Sequence, residues 1–338
     1  MKLILKIIKW IGKILAGLII LILISGLCFR VFSSNPIPPG KLVDVNGTKL
    51  HIRAEGQKND LPTLILESGA GGDTDVFHWI TIGLKKNMRV VRYDREGKWF
   101  SESSNDSITP EFYAHQLHQL LEKSGEKPPY ILAGHSMGGP YNRIFRDLYP
   151  NEVKGMVFLD SSHPEQIDRL AQTDSPKKQD VQKYMSILAD MGILGLVDQL
   201  FGSLLNVNND LPKDCQTRYR ALYLNSGKIL RRMVKEYNFV DKILLQAVGQ
   251  VSDLDSLPVL VFTAAEEYSG FQKEKYKRQG IDPDKELQLW FELQKELKEL
   301  SKNGKQFFID ANHGSIITKK ENAEIINKEI LLMAESIN

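Results

Sequence analysis

Ser136 stands in Gly134-His-Ser-Met-Gly138, directly after the apolar stretch Tyr130 to Ala133. The chemistry open to a serine so placed is nucleophilic attack. Glycines two before and two after it allow a sharp strand-to-helix turn that a Cβ would obstruct, and the turn lifts the hydroxyl above a sheet at a helix N-terminus. A serine hydroxyl is a weak nucleophile and needs a base to take its proton. Two histidines follow it in the chain, His163 and His313. His313, in Asp310-Ala-Asn-His-Gly314, comes after the last expected strand and before a helical C-terminus, which marks it as the base. His163, in Ser161-Ser-His-Pro164, is expected to cap a helix or line a pocket.

A third member, a carboxylate between serine and histidine in chain order, would hold the imidazole tautomer and stabilise the imidazolium. Asp160 ends the strand Met156 to Leu159, whereas Glu266 and Glu267 follow the later strand Val259 to Thr263; spacing leaves both open. A tetrahedral intermediate also needs two backbone donors. Met137 N–H, next to the nucleophile, is one. Glu67-Ser-Gly-Ala-Gly-Gly72 follows the strand Thr63 to Leu66 and offers Ala70 N–H as the other. That loop lacks the spacing of a dinucleotide fingerprint and the Lys-Ser/Thr of a phosphate loop, so no nucleotide cofactor is expected. His115 and His118 share a helix face without cysteine or a second such pair, so no metal site is expected.

These residues need a frame. Strands are expected at 42–45 and 49–53 around the hairpin turn Asn46-Gly47, then at 63–66, 89–93, 130–133, 156–159, 259–263 and 306–309. Helical patterns lie between them, at 110–124 and 140–149 for example. Short apolar strands alternating with helices predict a mostly parallel sheet covered on both faces. From about 165 to 256 the helical pattern dominates, which predicts a helical cap inserted after the strand ending at Asp160. Within it, 184–201 is apolar beyond one stripe. Leu287, Leu289, Trp290, Leu293, Leu297 and Leu300 at helical spacing read as core packing only.

The chain has 338 residues, 42% hydrophobic, with 44 Lys and Arg against 42 Asp and Glu, so no global field points to nucleic acid. The charge asymmetry is local: Lys2, Lys6, Lys9 and Lys13 precede the uncharged run Ile14 to Phe29, closed by Arg30. A signal-anchor helix over about 10–30 would place the N-terminus in the cytoplasm and the rest outside. Cleavage near Val31-Phe-Ser33 would instead make the protein secreted. The expected division is a membrane anchor at 1–32, a Pro-rich spacer at 33–40, and a catalytic domain at 41–338. Cys28 and Cys215 are too far apart in this scheme to pair. Oligomeric state is not legible.

Taken together, the Gly69–Gly72 loop, Tyr93-Asp-Arg-Glu-Gly97 with Ser101, the elbow at Ser136, Val157-Phe-Leu-Asp160 and the late His313 resemble the α/β-hydrolase superfamily over roughly 41–338. More narrowly, the motifs at 66–72, 160–166 and 293–303 look like a bacterial subgroup of membrane-anchored serine hydrolases of unassigned substrate. Many family members place His-Gly before the oxyanion residue where this chain has Ser68-Gly69, and many place an Asp just after the strand equivalent to 259–263. The narrower subgroup carries its Asp before Ser-Ser-His, which implies Asp160 as the acid, with Glu266 or Glu267 as the alternative. The resemblance implies an acyl-enzyme hydrolase, and the apolar cap with the membrane anchor favours, as its small-molecule substrate, a carboxylic ester with a lipophilic acyl part. Alternatives are an amide or aminopeptidase-like hydrolase, with Glu165, Glu266 and Glu267 supplying an acidic pocket, and a non-catalytic ligand-binding descendant.

Overall fold

The computed structural model describes residues 2–33, 35–104, 108–171, 176–202, 209–251 and 253–337. Ser34 of the expected spacer, and 172–175, 203–208 and 252 of the expected cap, lie outside them. The strands are β1 (Lys41–Val45), β2 (Thr48–Glu55), β3 (Thr63–Glu67), β4 (Val90–Tyr93), β5 (Tyr130–His135), β6 (Val153–Leu159), β7 (Val259–Ala264) and β8 (Gly304–Ile309). The helices are α1 (Lys2–Phe32), α2 (His78–Leu84), α3 (Pro110–Lys123), α4 (Gly138–Leu148), α5 (Gln166–Arg169), α6 (Pro176–Asp190) and α7 (Ile193–Phe201). They continue with α8 (Lys213–Asn225), α9 (Gly227–Phe239), α10 (Leu245–Gly249), α11 (Gly270–Arg278), α12 (Pro283–Glu299), α13 (Ser315–Thr318) and α14 (Lys320–Ile337).

The chain divides into two compact units. The larger comprises Pro38–Asp174, Asn208–Pro212 and Lys235–Asn338. It is built on one eight-stranded sheet in the order β1-β2-β4-β3-β5-β6-β7-β8, with β1 and β2 antiparallel to their neighbours and the rest parallel. Asn46 and Gly47 turn β1 into β2 with φ of 54° and 85°, the left-handed pair that a two-residue hairpin demands. β3, β5 and β7 are buried at every position, as the near-continuous apolar runs of parallel strands require. Alternate residues of β5 serve opposite faces: Tyr130 and Leu132 join a core with Tyr113, Leu120 and Phe145, while Ile131 and Ala133 join one with Phe77, Ile80, Ile326 and Ile330.

Between β6 and β7 every described element is helical. Part of that stretch belongs to the second, smaller unit, which groups Met1–Ile37 with Ser175–Val207 and Lys213–Val234. Its small core joins Ala189, Leu194, Leu224 and Leu230. The apolar stretch 184–201 is not one helix: α6 and α7 meet at 85°, with Gly192 at φ 72° in the break. Glycine reaches that conformation without a Cβ penalty. By length and composition α1 could cross a membrane, with a mean hydropathy of 2.6. Both cysteines are free.

Candidate active site

The elbow follows from close packing. β5 delivers Ser136 at φ 55°, a left-handed conformation that a non-glycine residue adopts only where its surroundings hold it. Those surroundings are visible. Ser136 N–H donates to Leu159 O at 3.2 Å, and Ser136 O accepts from Ser162 N at 2.9 Å and Ser161 Oγ at 3.1 Å. A Cβ on Gly134 would lie 2.4 Å from the backbone of Gly138 and Gly139, and one on Gly138 would lie 2.3 Å from Glu67 O. Both glycines are therefore fixed by backbone approach.

β6 ends one strand away, and Asp160 also leaves its strand at positive φ, 44°. Its carboxylate is 2% exposed and accepts three hydrogen bonds. His313 Nδ1 lies 2.6 Å from Oδ2; Ala264 N–H, at the end of β7, donates to Oδ1 at 3.0 Å, and Trp290 Nε1–H on α12 donates to the same oxygen at 2.8 Å. Asp160, as the acceptor, fixes the proton on Nδ1 and leaves Nε2 able to accept. Trp290 corrects the expectation for its helix: the indole does more than pack.

The other carboxylates engage different partners. Glu266 accepts from Asn312 Nδ2 at 3.1 Å, and Glu267, 80% exposed at its side chain, pairs with Lys273 at 2.8 Å, which lowers its pKa. His163 turns back on its own helix: its Nδ1 accepts from Glu165 N–H at 3.2 Å and its N–H donates to Gln166 Oε1. The ligand atoms of His163, Glu165 and Glu296 do lie close enough together for an ion, a cluster the sequence did not suggest. Arg169 already occupies it, 2.8 Å from Glu296 and 3.2 Å from Glu165. His115 and His118 meet Tyr149, Glu122 and Glu152.

His135, inside the elbow, was not anticipated. Its Nε2 donates to the His313 backbone carbonyl at 2.7 Å, and the two rings lie 4.6 Å apart. Burial, followed by the neighbouring His313, holds its pKa at about 3, so it stays neutral and ties down the loop that carries His313. Among the described residues the Ser136 hydroxyl and His313 Nε2 are not hydrogen-bonded to each other; such bonds commonly tighten only when substrate arrives.

The glycine-rich loop after β3 lies against the elbow, since a Cβ on Gly69 would stand 3.0 Å from Ser136 Cβ. Beneath it is a second group the sequence did not reveal. Arg95 donates to Ser68 O at 2.5 Å and Gly69 O at 3.0 Å, and Lys98 Nζ to Gly69 O at 2.9 Å. Glu67 and Glu236 balance the two cations: Arg95 bonds both, Lys98 lies 3.1 Å from Glu236, and Tyr93 donates to Glu67. All are at most about 5% exposed. Burial, then Arg95, lowers the Lys98 pKa to about 8; burial would raise that of Glu236, but Arg95 and Lys98 outweigh it and hold it low.

A trans peptide sets C=O and N–H on opposite sides. With Gly69 O drawn into the cations, Ala70 N–H is turned away from them. Among the described residues neither Ala70 N–H nor Met137 N–H donates to a protein acceptor. Two unspent donors, one at the head of α4, suit a developing oxyanion.

A family model for the α/β hydrolase fold matches residues 62–186. The chain is 31% identical to the uncharacterized protein YbdG of Bacillus subtilis over 173 residues, covering 49% of this chain and 53% of that protein. It is 26% identical to the human monoacylglycerol lipase ABHD6 over 106 residues, covering 31% and 32%. The crystal structure of an enol-lactonase from Burkholderia xenovorans matches with a TM-score of 0.58 at 18% identity, covering 87% of this chain and 99% of that one. The chain spans about half the length of the first curated relatives it matches. It has the α/β-hydrolase fold.

Proposed function

We propose that this α/β hydrolase is a serine hydrolase that forms an acyl-enzyme, acts on carboxylic esters with a lipophilic acyl part, and is held at a membrane by α1. The observation that carries the triad is the 2.6 Å bond from His313 Nδ1 to an Asp160 carboxylate already locked by two further donors, beside a serine at an enforced positive φ. Ser136 Oγ attacks the ester carbonyl carbon as His313 Nε2 takes its proton. Ala70 and Met137 N–H groups receive the oxyanion. Collapse of the tetrahedral intermediate breaks the C–O bond, and His313 returns the proton to the departing alkoxide. Water then repeats the sequence on the acyl-enzyme, releasing the acid and Ser136.

The ester preference draws support from the similarity to a lipase and from the site's carboxylates. An amine-binding acidic pocket has little to draw on, because Glu165, Glu267 and Glu266 are engaged by Arg169, Lys273 and Asn312. The test is a fluorophosphonate probe applied to the parent and to Ser136→Ala. Labelling of the parent alone is expected, followed by turnover of p-nitrophenyl esters that rises with acyl length. A folded parent that does not label would make this a binding protein.

A further inference from the structure

We infer that the smaller unit docks on the outer surface of an anionic lipid bilayer through one apolar face of α6 and the C-terminal end of α7. The inference rests on α1 being a membrane helix, and it is independent of the triad.

The first observation is how α1 ends. Only 6% of its apolar window is buried, yet its last turns are in backbone contact with the α6–α7 corner. A Cβ on Gly192 would stand 2.3 Å from Gly26 O, one on Gly26 2.7 Å from Met191 O, and one on Gly195 2.6 Å from the Phe29 ring. Arg30 closes the apolar run one residue later. A run of about 20 residues fills a hydrocarbon core of ~30 Å, so the level at which Phe29 meets Gly195 is the membrane–water interface. α7 is therefore joined to α1 at headgroup depth. A flexible tether would not impose that height.

The second observation is what this corner exposes. Val181, Tyr184 and Ile187 of α6, at spacings of three, are 57%, 67% and 50% exposed; Leu200 and Phe201 at the end of α7 are 65% and 80% exposed. Spacings of three put the α6 residues on one helical face. Tyr and Phe beside aliphatics are what interfacial helices insert among headgroups.

The third observation is charge. Apart from Lys2, Lys6, Lys9 and Lys13, which lie across the bilayer at the start of α1, the smaller unit holds ten Lys and Arg against four Asp and Glu, net +6, while the larger unit, with 30 against 38, has a net −8. A protein near neutrality overall thus concentrates its positive charge on the unit that carries the exposed apolar face. Basic residues near an anionic lipid surface each contribute about 1 kcal/mol of attraction. That complementarity favours lipid over a second copy of the same positive surface.

The test reconstitutes the full chain, with Cys28→Ser and Cys215→Ala, in liposomes of phosphatidylcholine and phosphatidylglycerol. Single cysteines at Leu18→Cys, Tyr184→Cys, Phe201→Cys and Phe271→Cys are labelled with bimane, and doxyl-labelled lipids serve as quencher. Phe271, 82% exposed on the larger unit, is the aqueous reference. Expected are quenching and a blue shift at Leu18→Cys, Tyr184→Cys and Phe201→Cys, with neither at Phe271→Cys. Quenching at Leu18→Cys with Tyr184→Cys and Phe201→Cys indistinguishable from Phe271→Cys overturns docking while leaving the anchor. No quenching at Leu18→Cys overturns the anchor and docking together. A blue shift without lipid quenching at Tyr184→Cys and Phe201→Cys means that a second copy covers the face, and also overturns the proposal.

Discussion

Replacing Asp160 by Asn tests the triad more sharply than deleting it, because the surroundings dictate which way the new amide must face. Oδ1 of Asp160 receives Ala264 N–H at 3.0 Å and Trp290 Nε1–H at 2.8 Å. Both partners are donors, so the Asn carbonyl must occupy that corner. Turning the amide would set its NH₂ against two N–H groups in a site 2% exposed and leave both unsatisfied, at about 1–3 kcal/mol each. The NH₂ therefore faces His313 Nδ1, which can then only accept, and the ring proton moves to Nε2. In that tautomer Nε2 cannot take the Ser136 proton. The same substitution costs about four decades in kcat in the serine protease where the tautomer principle was worked out. At 1.36 kcal/mol per decade that is ~5 kcal/mol of transition-state stabilisation. The assay is the rate of fluorophosphonate labelling, which reports activation of Ser136 whatever the natural substrate, with a thermal melt to show that the fold survives. Less than about a tenfold loss, or an equal loss in Glu266→Gln or Glu267→Gln, would refute the assignment.

Three further outcomes are expected. Lys98→Met frees one of two grips on Gly69 O, so kcat on a p-nitrophenyl ester should fall by at least about tenfold, short of the 10²–10³ that a whole oxyanion donor is worth, with KM little changed; an unchanged kcat removes Lys98 from the mechanism. Trp290→Phe keeps the ring packing but deletes a donor to Asp160, and should slow labelling while Trp290→Leu slows it no further; if only the leucine variant is slow, the ring and not its N–H matters. His135 holds a folded pKa of about 3 against about 6.5 unfolded. A base with a depressed pKa contributes full stability above pH 6.5 and loses it as pH falls toward 3, because the unfolded chain takes up a proton that the folded one refuses. Urea midpoints should therefore drop more steeply with acid in the parent than in His135→Gln, and equal slopes would contradict the neutral buried imidazole.

Much of the frame was legible because it depends on local pattern. Glycine spacing around Ser136, the Asn46-Gly47 turn and the apolar runs of β3 to β7 each state their conformation within a few residues. The choice of acid was not legible, for a geometric reason. β6 and β7 are paired neighbours, with Leu159 opposite Phe262, so Asp160 and Glu266 leave the same sheet edge side by side. The donors that favour the Asp160 reading come from Ala264 and Trp290, 104 and 130 residues away in sequence. Trp290 looked like core because helical spacing reports burial, and an indole satisfies burial and donates at the same time. Arg95 was in view only as part of the motif Tyr93–Gly97, and its association with Lys98 and Glu236 was hidden for the same non-local reason. The break at Gly192 was in plain view: a glycine closing a helical pattern is a stop signal even inside an apolar run.

Why a chain of this fold should hold the loop beside Ser136 with buried ions is the remaining physical question. A buried ion cluster is weak evidence for stability, since desolvation consumes most of the Coulombic gain and well-packed apolar side chains often serve as well. Apolar side chains could not serve here. Between Ser68 and Gly72 the loop has three glycines and one alanine, so it offers almost no side chain to pack against. Its only handles are backbone carbonyls, and a carbonyl is gripped by a donor. Trp99 Nε1 takes Gly72 O at 2.7 Å, and Arg95 and Lys98 take Ser68 O and Gly69 O. Once two cations are used in a dry interior, Glu67 and Glu236 must follow to neutralise them. Small residues let the loop approach Ser136, and that smallness in turn requires the ion cluster beneath it. Glu236 comes from the helical insertion between β6 and β7, so the insertion contributes directly to the geometry of the Gly69–Ala70 peptide.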